Sequence, residues 1–173
     1  GPFEALEPPG ALIFEDTLDG LIDRVGETGS FTLDVEAGQT VAVVVDPDAM
    51  LAPTIELRNP AGDLIASAVS PGAGLDAVLQ AARADAAGMW TVTIGAGVGT
   101  LGSFTGQVFL GSAIEAEAHD GPTNGDVATA QPLDGTALPL QGSADRLAVV
   151  GAAGDDDVYA FTLDAGTAAS LAL

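Results

Sequence analysis

Ser30-Phe31-Thr32-Leu33-Asp34-Val35-Glu36, then the turn Ala37-Gly38, then Gln39-Thr40-Val41-Ala42-Val43-Val44-Val45, is the stretch whose reading decides the fold. The first part alternates apolar and polar side chains, which places Phe31, Leu33 and Val35 on one face of a β-strand. The second is a β-branched run beyond a glycine turn, and the two together read as a hairpin. Downstream the pattern continues. Thr54 to Arg58 alternates, Asn59-Pro60-Ala61-Gly62-Asp63 supplies turn chemistry, and Leu64 to Ser67 returns as a second hairpin. Asp76 to Leu79 reads as a short strand, and the alanine-rich Leu79 to Ala87 as a helical turn or two. Met89 to Ile94 and Phe104 to Leu110 are further strands, separated by the glycine-rich loop Gly95 to Gly102. Their aromatic residues Trp90, Phe104 and Phe109 fall on inward positions and are expected in the core. Short strands at intervals of roughly 10 residues, punctuated by Gly and Pro, predict an all-β protein built as an antiparallel β-sandwich.

The opening stretch recurs. Ala165-Gly166-Thr167-Ala168-Ala169-Ser170-Leu171-Ala172-Leu173 aligns with Ala37 to Val45 at a shift of 128 residues, which also sets Tyr159 on Phe31, Phe161 on Leu33 and Gly154 on Gly26. A solenoid repeats every roughly 20 to 50 residues, so a period this long is that of whole domains in tandem. The expected organisation is an N-terminal extension over 1–17, a first sandwich over 18–112, an acidic linker over 113–132, and the start of a second sandwich over 133–173, incomplete in this chain.

Composition narrows the function classes. The 173 residues are 47% hydrophobic with a mean hydropathy of +0.37, enough for buried cores. Twenty-five acidic residues face only Arg24, Arg58, Arg83 and Arg146, and the formal net charge is -21. Phosphate recognition needs clustered Lys and Arg, so nucleic acid is not an expected partner, and the same balance disfavours anionic membrane surfaces. No run reaches the roughly 18 apolar residues of a membrane helix, so no membrane insertion is expected. With no cysteine, disulfides, thiolate metal sites and cysteine nucleophiles are all excluded.

One constellation stands out from the acidic background. Asp155 and Asp157 lie two apart on the entry to an alternating run, hence on one face of a strand, and the preceding segment carries Glu115, Glu117, Asn124 and Asp126. Hard cations such as calcium take six to eight oxygens from carboxylates, amides and backbone, and these residue types are such a set. In the first copy Asp155 falls on Glu27 and Asp157 on Gly29, which confines the ion to the second.

Catalytic patterns are poor. His119 is the single histidine, and no Gly-x-Ser-x-Gly elbow accompanies it. The acid pairs Glu15/Asp16 and Asp46/Asp48 read as turn residues with few aromatics to stack a sugar. Gly97-Val98-Gly99 has neither a basic residue nor a following helix to bind phosphate. The chain is not expected to be an enzyme.

Glu115-x-Glu117, then Asn124 and Asp126 leading into Ala128-Thr129-Ala130-Gln131-Pro132-Leu133, then Asp155-x-Asp157-x-Tyr159-x-Phe161 and Leu163-Asp164-Ala165-Gly166, resembles the bacterial pre-peptidase C-terminal domain, related to the collagen-binding modules of secreted bacterial collagenases. The resemblance is fullest over 115–173. Over 18–112 it rests on Phe31-x-Leu33-x-Val35-x-Ala37-Gly38, Asn59-Pro60-Ala61-Gly62 and Gly88-x-Trp90-x-Val92-x-Ile94. It implies tandem jelly-roll-like sandwiches, a secreted or cell-surface location and a non-catalytic accessory role. It also implies calcium, with Glu115, Glu117, Asn124, Asp126, Asp155 and Asp157 as ligands. The chain departs from the family where His119-Asp120-Gly121-Pro122-Thr123 interrupts the acidic motif and Gly125 splits the Asn-Asp pair. The leading expectation is therefore an extracellular calcium-binding module that positions or attaches a larger secreted protein, with an extracellular protein or polymer as partner. The alternative is a structural subunit of an extracellular filament or surface layer, in which other copies of the chain complete the open second sandwich by strand donation.

Overall fold

The Ser30 to Val45 stretch does not fold back on itself; it passes from one sheet to the other. The computed structural model describes residues 2–6, 11–140, 144–151, 154 and 156–172. In chain order its main strands are β1 (Glu4–Ala5), β2 (Phe14–Ile22), β3 (Gly29–Val35), β4 (Thr40–Pro47), β5 (Pro53–Arg58), β6 (Leu64–Val69), β7 (Ala77–Arg83), β8 (Gly88–Ala96) and β9 (Gly102–Leu110). They form a five-stranded sheet in the order β1-β2-β9-β4-β7 and a four-stranded sheet in the order β3-β8-β5-β6, every neighbouring pair antiparallel.

β3 and β4 lie in opposite sheets, which corrects the expected hairpin. Gly38, at φ +90°, makes the crossing, and the Ala84 backbone holds it by bonds from the Gly38 N–H and to the Gln39 carbonyl, both 2.8 Å. The reason is written in β4. Its run Thr40 to Val45 is buried throughout, and a strand without a polar face belongs in the middle of a covered sheet, not on one arm of a half-exposed hairpin. Val41, Val43 and Val45 face the space between the sheets, together with Leu33, Ile55, Trp90 and Val108. Ala42 and Val44 face outward into a second, smaller core with Phe109 and Ile114, rimmed by Leu6, Val78 and Val150.

The β5–β6 hairpin forms as expected, closed by the Asn59 side chain, whose Oδ1 accepts the Ala61 and Asp63 N–H groups at 3.0 and 2.9 Å. Trp90, Phe104 and Phe109 are all buried, the first two between the sheets and the third in the smaller core. Two expectations fail locally. The alanine-rich segment begins as strand β7, because the open edge of β4 offers a hydrogen-bonded ladder whose cooperative gain exceeds alanine's weak preference for helix. Within the segment read as an extension, Phe14 already opens β2, and β2 pairs with β9 along its whole length from Phe14 to Ile22.

Beyond Leu110 the strands are short. β10 (Ala113–Ile114) and β14 (Val149–Val150) pair in parallel, as do β11 (Gln131–Pro132) and β15 (Tyr159–Ala160), while β12 (Leu138–Pro139) and β13 (Asp145–Arg146) are antiparallel. The acidic segment 113–132 is thus paired at both ends with the second copy's chain, while Ile114 packs into the smaller core and bonds the Gln80 side chain of β7. Arg146 ties β13 to the first sandwich, donating Nη1 to the Gly111 carbonyl and Nη2 to that of Leu12 (3.2 Å). Partial burial of this guanidinium lowers its pKa from the usual arginine value. After Ala160 no strand occurs among the described residues, although 161–172 matches β3 and β4 in sequence. In the first copy those two strands are held by β8 and by β7 and β9, and no counterparts of these three lie within the 173 residues. Phe161, Leu163 and Leu171 are exposed where Leu33, Val35 and Val43 are buried.

Candidate metal centre

Glu115 follows β10 directly. Its N–H donates to the Val150 carbonyl at 2.8 Å, continuing the parallel pairing, and this register turns its side chain inward. The residue is 0% exposed. Its carboxylate accepts the N–H of Glu117 on Oε1 (3.0 Å) and that of Ala118 on Oε2 (2.6 Å), so it fixes the start of the 3-10 turn Glu117–His119. No ion pair to Glu115 exists among the described residues. These two amide donors offset part of the cost of removing the carboxylate from water.

The five residues that interrupt the acidic motif loop out and back. Asp120 takes the left-handed conformation at φ 58°, the Gly121 N–H returns to the Ala116 carbonyl at 2.9 Å, and Asn124 comes to rest beside Glu117, donating its N–H to Oε2 at 3.1 Å. The Asn124 carbonyl in turn accepts the Val158 N–H at 2.9 Å, which draws in the second copy's chain next to Asp157. Asn124 is 2% exposed, yet among the described residues neither Oδ1 nor Nδ2 meets the geometry of a hydrogen bond. Buried amides are almost always satisfied, so an orphaned pair marks a place where a further group belongs.

Tyr159 completes the cluster. Its phenol pKa is raised, first by burial and then by the negative charges of Asp157 and Glu115. The Asn124 amide works in the opposite sense at the phenol, though its contact there falls short of a hydrogen bond. In the first copy this position is Phe31, so the tyrosine adds an oxygen where its counterpart has none.

Glu115, Glu117 and Asn124 are therefore brought together by the 115–124 turn, and the bond from the Val158 N–H to the Asn124 carbonyl lays the chain next to Asp157 alongside it. Asp126 is not among them. It is exposed, and its Oδ1 accepts the Ala128 and Thr129 N–H groups at 2.8 and 3.0 Å, bonds that lower its pKa, led by the one to Thr129. Asp155 lies outside the described residues. Among the described residues no three carboxylate or imidazole groups stand close enough to form a metal site. Glu27, the counterpart of Asp155, is spent on a turn, accepting the Asp23 and Arg24 N–H groups at 2.8 and 3.1 Å.

His119 is committed as well. Its Nδ1 lies 2.8 Å from Asp76 Oδ2, and the two side chains are 23% and 13% exposed. Asp76 has a raised pKa, chiefly through burial, with the bond to His119 opposing. The groove beside the pair holds about 210 Å³, and neither hydroxyl nor thiol is among its lining side chains. A larger hollow of about 410 Å³ opens between Asp19, Asp46, Asp48 and Thr105. Of these acids, Asp19 bonds the Thr105 hydroxyl (2.8 Å) and Asp48 the Ser103 N–H (2.9 Å). Glu15 and Asp16 lie in β2, not in a turn, and Glu15 accepts from the Gln107 amide at 3.1 Å.

No protein-family model matches the chain, and no curated protein does. Among solved structures, the chain is similar in fold to the pre-peptidase C-terminal domain of a collagenase from Bacillus anthracis, with a TM-score of 0.44 and 16% identity over 54% of this chain and 88% of that one. It is also similar to a periplasmic inhibitor of g-type lysozyme from Aeromonas hydrophila, with a TM-score of 0.39 and 15% identity over 61% of this chain and 90% of that one. No helix among the described residues is long and apolar enough to cross a membrane.

Proposed function

We propose that the chain is a non-catalytic β-sandwich module of a secreted protein, that it binds calcium where the first sandwich meets the second copy, and that it serves to position or attach its parent protein outside the cell. One observation carries the reading: the fully buried carboxylate of Glu115, with no ion pair among the described residues, lies on the same turn as the buried Asn124, whose amide meets no hydrogen-bond partner among those residues. Glu115, Glu117, Asn124 Oδ1 and Asp157 would hold the ion, with Asp155 a further ligand expected from the sequence. Asp126 would join only by releasing Ala128 and Thr129. A bound calcium supplies the positive charge that offsets these carboxylates. The chain's own part is to turn Glu115 inward through β10 and to return Asn124 across the 119–123 loop.

A ligand at a hundred times its dissociation constant stabilises the state that binds it by about 2.7 kcal/mol. Proteolysis between Ile114 and Pro132 should therefore slow in calcium relative to chelator. Equal cutting in both removes the ion site and, with it, this reading.

A second reading, a filament or surface-layer subunit, has its own support in the exposure of Phe161, Leu163 and Leu171 within a segment whose first-copy counterpart is buried β-strand. Such a segment recruits strands from another chain. Light scattering should then report ordered assemblies that deletion of 158–173 abolishes; a monodisperse monomer across concentration excludes assembly.

A further inference from the structure

The stretch that joins the two copies is built as core and not as linker. Linkers run over the surface and leave domains free to move. Here Gly111 to Glu115 is buried without a break. Ile114 packs on the outer face of the five-stranded sheet with Ala42, Val44 and Phe109, and Val150 of the second copy closes over the same cluster. Gln80 on β7 grips Ile114 as a neighbouring strand would, donating Nε2 to its carbonyl (2.9 Å) and accepting its N–H on Oε1 (3.2 Å). From the other side Gln131, on the strand that pairs with β15, donates to the same carbonyl (2.7 Å) and accepts the Ala116 N–H (3.0 Å). Two arginines cross the boundary in opposite directions. Arg83 on β7 donates Nη1 to the Ala137 carbonyl (3.2 Å), and Arg146 on β13 donates to the carbonyls of Gly111 and Leu12.

We propose that the buried run Gly111 to Glu115, together with the bonds of Gln80, Arg83 and Arg146, is a rigid coupling that makes the first sandwich and the second copy one cooperative unit with a fixed mutual orientation. Turning one against the other would expose Ile114, Val44 and Phe109 and break those side-chain bonds to backbone at the same time. Relative motion is the default between domains, and an apolar, buried junction is what removes it. The sheet itself calls for such a cover: β4 is buried on both sides, and its outward residues Ala42 and Val44 meet Ile114 and Val150 from beyond Leu110. No ion takes part in the coupling, so it stands whether or not calcium binds. Its consequence for function does rest on the positioning reading above: a module coupled in this way holds its parent protein on a stiff spacer and not on a flexible tether.

The chain carries a reporter on each side of the junction, since Trp90 is the sole tryptophan, in the first sandwich's core, and Tyr159 is the sole tyrosine, on β15. Thermal unfolding of the full chain is followed by the proton NMR signals of both rings, in buffer containing chelator. Wild-type protein should lose both signals at one midpoint. Leu33→Ala, a change confined to the first core, should lower both midpoints together by about 5 °C or more, and the milder Ile94→Val should lower both by a smaller, shared amount. The Gln80→Ala/Ile114→Ala double variant frees the junction from β7 and from the smaller core, and should part the midpoints, with Tyr159 melting first. Separate midpoints in the wild type, or a Tyr159 midpoint that neither core change moves, would show two modules joined flexibly and overturn the proposal while leaving the attachment reading in place. Midpoints that stay together in the double variant would put the coupling elsewhere and overturn its assignment to this junction.

Discussion

Replacing Trp90 with alanine tests the architecture most severely. The indole is 0% exposed, sits between the sheets against Leu33, directly across β3, and donates Nε1 to the Ala86 carbonyl at 3.0 Å. Truncating a buried aromatic to alanine costs about 3–5 kcal/mol through lost transfer free energy and the cavity left behind. The lost hydrogen bond adds about 1 kcal/mol, reduced if water reaches the freed carbonyl. A domain of this size has a total stability of about 5–15 kcal/mol, so the variant should lose a third or more of its margin and unfold at much lower denaturant. Chemical denaturation followed by circular dichroism measures this, since the change removes the fluorophore. Trp90→Phe separates the contributions: it keeps much of the ring volume, gives up the donor, and should fall well short of the alanine variant. An alanine variant within about 1 kcal/mol of wild type would refute the packing argument, as would a wild-type emission maximum typical of water-exposed indole.

Asp157→Ala should weaken calcium binding far more than Asp156→Ala, because Asp157 is half-buried beside Tyr159 and Asp156 is exposed; calorimetry that finds Asp156 dominant would overturn the placement. Asp48, held below the ordinary carboxylate pKa first by the Met50 N–H and next by that of Ser103, contributes stability that is present above the ordinary value and lost as pH falls through its depressed one. The Asp48→Ala variant should therefore show a flatter acid limb in thermal midpoints measured against pH, and an unchanged limb would remove the assignment. Asp76 has the opposite sign: its raised pKa makes its contribution fullest below the ordinary value and progressively lost as pH rises through the elevated one. Gly111→Ala should destabilise by about 1–2 kcal/mol from its left-handed φ alone, with more from contact of the new Cβ with the Leu12 carbonyl; a neutral midpoint in thermal unfolding would show that this loop yields freely.

Much of the fold was legible because the relevant signals are local. The alternation through Phe31, Leu33 and Val35, the Asn59 to Asp63 turn and the inward aromatics all act within a few residues, and each fixes an element or a face without reference to the rest of the chain. Residue type and spacing likewise singled out Glu115, Glu117, Asn124 and Asp157 as an oxygen-rich set.

Tertiary structure decided what depends on partners far along the chain. β4 has the local sequence of a hairpin arm, yet its bare apolar run is satisfied only between β7 and β9, so burial on both faces takes it away from β3. The segment 161–172 has nearly the same pattern as the first copy and forms no described strand, because a strand's hydrogen bonds are made by neighbours and not by its own sequence. At the site, composition named the acids and could not sort them. Register turned Glu115 into the interior, and the local bonds to Ala128 and Thr129 kept Asp126 at the surface. The hold of Asp76 on His119, 43 residues away, exists only once β7 has docked beside the turn. Periodicity sets which way a side chain points from its own backbone, and only the assembled sheets set what it meets there.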